Sequence, residues 1–225
     1  YQLNEQHAFN VNYMLHRNGN RRYDKIDNDF SPSKDLLSKH IIGISYSQLL
    51  FQEKMANNFF IKNYINHAKI EQTDLSWITH SDKIPNKTTE NNLGYGIGTR
   101  YIFFEPFALK LSYEHAIRLP MAKELLGNGN TIYPNLALKP ESSDNYNAGL
   151  FGYIHPDKQH SISYEANAFF RKVKDYIHAV LSQSDGTIQY ENVSDVNIKG
   201  LEGEIRYLYN NRLQCMINCS YQDSR

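Results

Sequence analysis

What most limits how this chain can fold is an alternation of apolar and polar residues that keeps returning in stretches too long for ordinary soluble strands. From Glu5 to Arg17, Phe9, Val11, Tyr13 and Leu15 share one face while Ala8, Asn10, Asn12 and His16 share the other. Successive strand side chains point to opposite faces, so this stretch predicts a strand with one apolar side. The pattern resumes over Lys39–Phe51 (Ile42, Ile44, Tyr46 and Leu50) and over Asn58–Ile70 (Phe59, Ile61 and Ile65 opposed to Lys62, Tyr64 and Asn66). It continues over Asn92–Phe103, with Tyr95, Ile97, Thr99 and Tyr101 against Gly94, Gly96, Gly98 and Arg100. Phe107–Ala116, Asn145–Tyr153, His160–Asp175, Tyr190–Tyr209 and Arg212–Gln222 complete nine strands.

The connections alternate in length. Asn18–Ser38, Glu71–Asn91 (with Trp77 and Pro85), Arg118–Ser143 and Val180–Ile188 are the longer ones, and turns near Gln52, Glu105, Pro156 and Asn210 the shorter. Between Ser112 and Leu150 the excursion carries Pro120, Pro134 and Pro140 with Gly127 and Gly129, which neither a helix nor a sheet ladder sustains for long. Long connections at one end and short turns at the other are the arrangement of a membrane barrel with loops outside the cell. No apolar run approaches the ~18 residues that a spanning helix needs. A crossing would therefore be made by strands.

Alternation alone fits a soluble β-sandwich, which also has one polar and one apolar face. Strand length, a mean hydropathy of -0.61 and charges mid-strand (Arg100, Lys110, Glu114, Glu165, Arg171, Glu202, Glu204 and Arg206) favour a barrel in lipid with a wet interior. Tyrosines near strand ends, among 17 in the chain, suit interfacial girdles. With 24 basic and 24 acidic residues the formal charge is zero, so the balance points to no nucleic acid.

Candidate chemistry is thin. Gly94, Gly96 and Gly98 match the form of a dinucleotide loop, but no helix follows, and they are expected to let a neighbour approach the wall closely. The nine histidines are scattered without a ligand-like pair, although His115 and His178 fall where strands meet outer loops. Glu202 and Glu204 share a face with Arg206, which predicts a charge network rather than paired catalytic acids. Cys215 and Cys219 share a face but lie about 13 Å apart at ~3.3 Å per residue, too far for a disulfide, so both are expected to be small apolar residues. The Asn-x-Ser/Thr triplets at Asn86, Asn192 and Asn218 matter only in a eukaryotic secretory protein. No enzyme, metal or cofactor is expected.

One ordered set of motifs carries a resemblance. Tyr113-Glu-His-Ala-Ile-Arg118-Leu-Pro120 is followed by Glu124-Leu-Leu-Gly127, Asn135-Leu-Ala-Leu138-Lys-Pro140-Glu141-Ser142 and Asn145-Tyr146. Then come Ala168-Phe-Phe-Arg171, Asp175-Tyr-Ile177, Tyr190-Glu-Asn192-Val193 and Ile198-Lys-Gly200-Leu-Glu202-Gly-Glu204. Together they resemble the barrel of TonB-dependent outer-membrane receptors. The resemblance implies an all-β, antiparallel up-and-down transmembrane barrel, of which residues 1–225 would be about nine of 22 strands, without the plug domain. It also implies active import of a large scarce solute of the siderophore, cobalamin or glycan class through a Gram-negative outer membrane, driven by the TonB-ExbB-ExbD system acting through the missing plug. Outer-membrane lipid and the imported small or medium solute are the other implied partners. Tyr113, Arg118, Pro120, Glu124, Leu138, Pro140, Glu141, Asn192, Gly200 and Glu202 are then structural motif positions. Arg118, Asn128 and Tyr133 are candidate ligand contacts in an outer loop. A passive porin-like barrel is the alternative within the membrane, and a soluble carbohydrate-binding sandwich the one outside it.

Overall fold

The computed structural model describes residues 2–4, 6–22, 33–70, 87–128, 131–182, 186–193, 195–210 and 212–225. The chain begins with strands β1 (Gln2–Asn4), β2 (His7–Arg22), β3 (Ser33–Leu50) and β4 (Met55–Lys69). It continues with β5 (Lys87–Phe104), β6 (Phe107–Arg118), helix α1 (Ala122–Leu126) and the short strand β7 (Ile132–Tyr133). Next are β8 (Glu141–Ile154), β9 (His160–Lys174), β10 (Tyr176–Leu181) and β11 (Ile188–Val193). It closes with β12 (Val196–Tyr209) and β13 (Leu213–Ser224).

Ten strands form one sheet in the order β1-β2-β3-β4-β5-β6-β8-β9-β12-β13, each antiparallel to its neighbours. Eight of the nine expected strands are present in this sheet, the ninth, Tyr190–Tyr209, is represented there by β12, and β1 adds a tenth. The strands run further than the alternation suggests. β2 reaches Arg22 and β3 starts at Ser33, so much of the expected Asn18–Ser38 loop is ladder. The rest of that loop and most of Glu71–Asn91, including Trp77, Pro85 and Asn86, lie outside the described residues.

Two expectations change at the end of the long connections. Tyr190–Tyr209 is not one strand: β11 belongs to a separate three-stranded sheet, β10-β11-β7, and β12 to the main one. The expected loop Val180–Ile188 lies at the far end of a hairpin, β10–β11, whose register runs from Tyr176↔Val193 to Leu181↔Ile188. The chain leaves β9 for β10 at Asp175, whose φ of 53° lies in the left-handed region and turns the strand out of the sheet plane. The excursion after Arg118 also carries a helical turn and a two-residue strand that its proline content hides.

Hydrogen-bonded rows climb relative to the short turns. One row passes from Phe9 through Tyr46, Phe59, Ile97, Tyr113, Tyr146 and Phe170 to Lys199. Phe9 lies two residues in from His7, the start of β2, whereas Lys199 lies ten residues in from Tyr209, the end of β12. A row that climbs this way requires strands tilted against the sheet's long axis, the geometry that closes barrels.

The two faces differ as the alternation demands. Val11, Ile44, Ile97, Leu111, Leu201 and Ile217 stand on one face and are exposed, Val11 at 72% and Ile217 at 74%. Cys215 and Cys219 stand on the same face, free and exposed. The opposite face carries Lys62, Arg100, the Lys110–Glu165 pair at 3.1 Å and the Glu204–Arg206 pair at 2.9 Å. Glycines on this polar face admit aromatic rings from the next strand. A Cβ at Gly96 would meet the Phe60 ring at 2.5 Å, and one at Gly200 would collide with the Phe169 ring and the Tyr221 carbonyl. At Gly94 and Gly96 the close approach is thus made by side chains as well as backbone, whereas Gly98 has only the Ser112 Cβ at 3.9 Å.

Candidate functional site

At the end bearing the long connections, the polar face turns apolar. Leu37, Ala68 and Ile70 are buried there, although their strand neighbours on that face are polar. They pack with Leu125 and Leu126 of α1, with Leu136 and Leu138, and with Ile177 of β10. The excursion between β6 and β8, the β10–β11 hairpin and the ends of β3 and β4 therefore share one small core. Lys39 adds a contact from its Nζ to the Leu119 carbonyl at 3.5 Å.

Polar ties hold this cap to the strands. The Arg118 guanidinium, at the end of β6, donates from Nη1 to Glu124 at 3.2 Å and from Nη2 to Glu141 Oε1 at 2.7 Å. Both carboxylates are buried, Glu124 at 4% and Glu141 at 8% exposure, so a planar fork with fixed charge is what makes their burial tolerable. Glu124 Oε2 also accepts the Met121 N–H at 2.7 Å, which caps α1, and Glu141 Oε1 accepts the Ile177 N–H at 2.8 Å. One arginine thus ties β6, α1, β8 and β10 together.

Asn192 is the second tie. Its Oδ1 accepts the Lys139 N–H at 2.8 Å, while Nδ2 donates to the carbonyls of Lys139 at 3.0 Å and Asp175 at 2.7 Å. Asn135 Nδ2 donates to the Tyr190 carbonyl at 2.8 Å, and β7 extends β11 in parallel through Ile132↔Ile188 and Tyr133↔Gln189. Segments more than fifty residues apart in sequence become one body through backbone groups that side-chain amides satisfy.

The motif positions distribute as follows. Pro120 is fully buried beside the cap core, and Leu138 and Pro140 are buried with it. Tyr113 stands on the apolar face, its hydroxyl donating to Asp144 at 2.9 Å. Gly200 receives the Phe169 ring, and Glu202 lies on the polar face, lining a shallow polar recess with Glu165, Asn167 and Glu204. Asn128 is exposed at the far end of the excursion. Its Oδ1 accepts the N–H groups of Thr131 and Ile132, and its Nδ2 donates to Thr131, shaping that turn. Gly127 precedes it at φ 66°, where a Cβ would strike the Ile132 carbonyl. Tyr133 is half-buried in β7. Arg118 thus contacts Glu124 and Glu141, while Asn128 contacts Thr131 and Ile132 next to Tyr133. His178 is exposed on β10 opposite Glu191, and His115 pairs with Asp144 at 2.8 Å on the apolar face. Sequence reasoning missed Leu37, Ala68 and Ile70. Their only signal was apolar residues on the wrong parity at strand ends. No group of three or more potential metal-ligating side chains occurs among the described residues.

Long tilted antiparallel strands, an exposed apolar face, a charged opposite face and a tied cap at one end define part of the wall of a transmembrane β-barrel. The chain belongs to the family described as TonB dependent receptor-like, beta-barrel, which it matches over residues 22–224. Similar solved structures include the copper transporter OprC (15% identity, TM-score 0.76), of which the chain covers 35% with 98% of its own length. The FrpB iron transporter from Neisseria meningitidis (F3-3 variant) follows at 12% identity and TM-score 0.69, with 100% of this chain and 34% of that one covered. A double mutant of the Serratia marcescens hemophore receptor HasR, in complex with HasA and heme, shares 15% identity at TM-score 0.64, with 99% and 40% covered. The chain thus spans about a third of these structures, and the likeness describes the fold. No curated protein matches the sequence.

Proposed function

We propose that this chain forms part of the wall of an outer-membrane receptor that imports a large scarce solute of the siderophore, cobalamin or glycan class. In this reading the apolar face meets lipid, the charged face lines a lumen holding a plug domain, and the TonB-ExbB-ExbD system acts on that plug. The cap is the observation that carries the receptor role. A wall built only to span would not need a helix, a second sheet and two buried carboxylates arranged over its polar face. The cap surface, including Asn128 and Tyr133, meets the solute first, and Arg118 serves it by holding the cap in place. Names of similar structures mention copper, iron and heme, which makes metal-bearing solutes the first to test. No bond is made or broken in this role, so it requires no catalytic residue or cofactor.

The test replaces residues 119–140 by a flexible linker in the full-length receptor. Solute binding is expected to fall at least tenfold, about 1.4 kcal/mol or more, while the barrel stays folded. Unchanged binding overturns the role of the cap. Uptake that persists in cells without TonB would make the barrel a passive pore.

A further inference from the structure

The described segments of the cap all leave the wall on one side. The chain enters and leaves them next to Leu119, Pro140, Asp175 and Val193, so each crossing is made from β6, β8, β9 or β12. Strong polar ties lie there too. Arg118 on β6 bonds Glu141 on β8, Glu141 accepts the Ile177 N–H, and Asn192 Nδ2 reaches the Asp175 carbonyl. No described segment of the cap starts from β3 or β4, yet Leu37, Ala68 and Ile70 from the ends of those strands are buried in its core. β5 and β6 stand between β4 and β8 in the sheet, so at ~4.8 Å per strand the cap overhangs roughly 14 Å of wall to reach them.

The far seam is of a different kind. There the cap rests on apolar side chains, and Lys39 Nζ reaches the Leu119 carbonyl at 3.5 Å, the outer limit of a hydrogen bond. Asn66 pairs with Lys39 in register on the same face. It is 1% exposed, and its Oδ1 meets no donor among the described residues. Opening this seam exposes three apolar side chains, which opposes it, and hydrates the Asn66 oxygen and the half-buried Lys39 ammonium, which favours it. Opposed terms of this kind leave a small net preference for closure, the condition under which an element populates two positions.

We infer that the cap is a lid hinged on β6, β8, β9 and β12, which lifts from β3 and β4 and opens the polar face to the outside along Leu37, Lys39 and Asn66. The Arg118–Glu141 and Asn192–Asp175 contacts are its pivot. Charged pairs on the attached side and apolar contact on the other fix the direction of opening. Water therefore reaches Asn66 before it reaches Val173, which is 6% exposed on the polar face of β9. A lid of this kind presupposes the reading above, in which the polar face lines a lumen open to the outside of the cell.

In the full-length receptor in whole cells, with Cys215 and Cys219 replaced by alanine, Asn66→Cys and Val173→Cys are labelled from outside with a membrane-impermeant sulfonated maleimide. Asn66→Cys is expected to react about tenfold faster than Val173→Cys, although both positions are buried. Leu37→Asp charges the seam and should speed labelling at 66 by about tenfold again, with Leu37→Ala acting in the same direction by less. Spin labels at the exposed positions 67 and 123 should show a second, longer distance that Leu37→Ala enlarges, whereas labels at 174 and 123 should show one. Equal reaction at 66 and 173 that neither Leu37 substitution changes, or a single unchanging 67–123 distance, overturns the lid. A receptor that sediments with the outer membrane and still protects both positions equally refutes the lid only. One that never enters the membrane refutes the reading beneath it.

Discussion

Arg118 holds two carboxylates that burial would otherwise penalise, and this asymmetry makes it the most sensitive single residue in the cap. Arg118→Ala takes the guanidinium away from the buried Glu124 and Glu141, a change that typically costs ~3–5 kcal/mol. Hydrogen exchange should then rise across 119–140 and 176–193 together, with β6 and β8 below them still protected; exchange confined to one segment would show that the cap is not a single body. Asn192→Ala removes three hydrogen bonds to backbone groups and is expected to cost about 1–3 kcal/mol, read as faster exchange at Lys139. The sequence presents both residues as members of a motif without showing what they touch. Asn192 reaches Lys139 across fifty-three residues, and no local periodicity encodes such a contact.

Strands were the legible element because an apolar and a polar face, kept for twelve to eighteen residues in the long strands, leave a period of two that nothing else in a polar chain imitates. The break between β11 and β12 falls between Val193 and Val196, whose spacing of three shifts the alternation by one position, and so brief a change of phase between two alternating halves reads as one strand. α1 escaped notice because five residues between prolines are too few to show a helical period. Two element-scale predictions follow from the faces. Leu111→Arg places a charge on the apolar face and should cost ~2–4 kcal/mol in a bilayer, whereas Ser112→Arg, one residue on, should cost little. Gly200→Val should destabilise by about 1–3 kcal/mol, because Phe169 can swing aside but the Tyr221 carbonyl cannot. Both are measured as shifts in the urea midpoint of the folded barrel, and equal costs at 111 and 112 would contradict the assignment of faces.

Across the whole molecule, the buried core is small and sits in the cap, while the apolar area of the wall is exposed. β1 and β13 form the two edges of the main sheet, and an uncovered edge and an uncovered apolar face are both routes to aggregation in water. Residues 1–225 produced alone are therefore expected to stay soluble only in detergent, and a sharp monomeric unfolding transition in plain buffer would count against a barrel wall. Which face meets hydrocarbon decides what this wall does, and nitroxide labels placed one at a time on the full-length protein in bilayers measure that directly. Labels at positions 97, 111, 148 and 168 should be relaxed by oxygen, which concentrates in hydrocarbon, and labels at 112, 147 and 167 by a water-soluble nickel chelate. Accessibility that fails to alternate between 111 and 112 and between 147 and 148, or that alternates with the opposite sign, would contradict it.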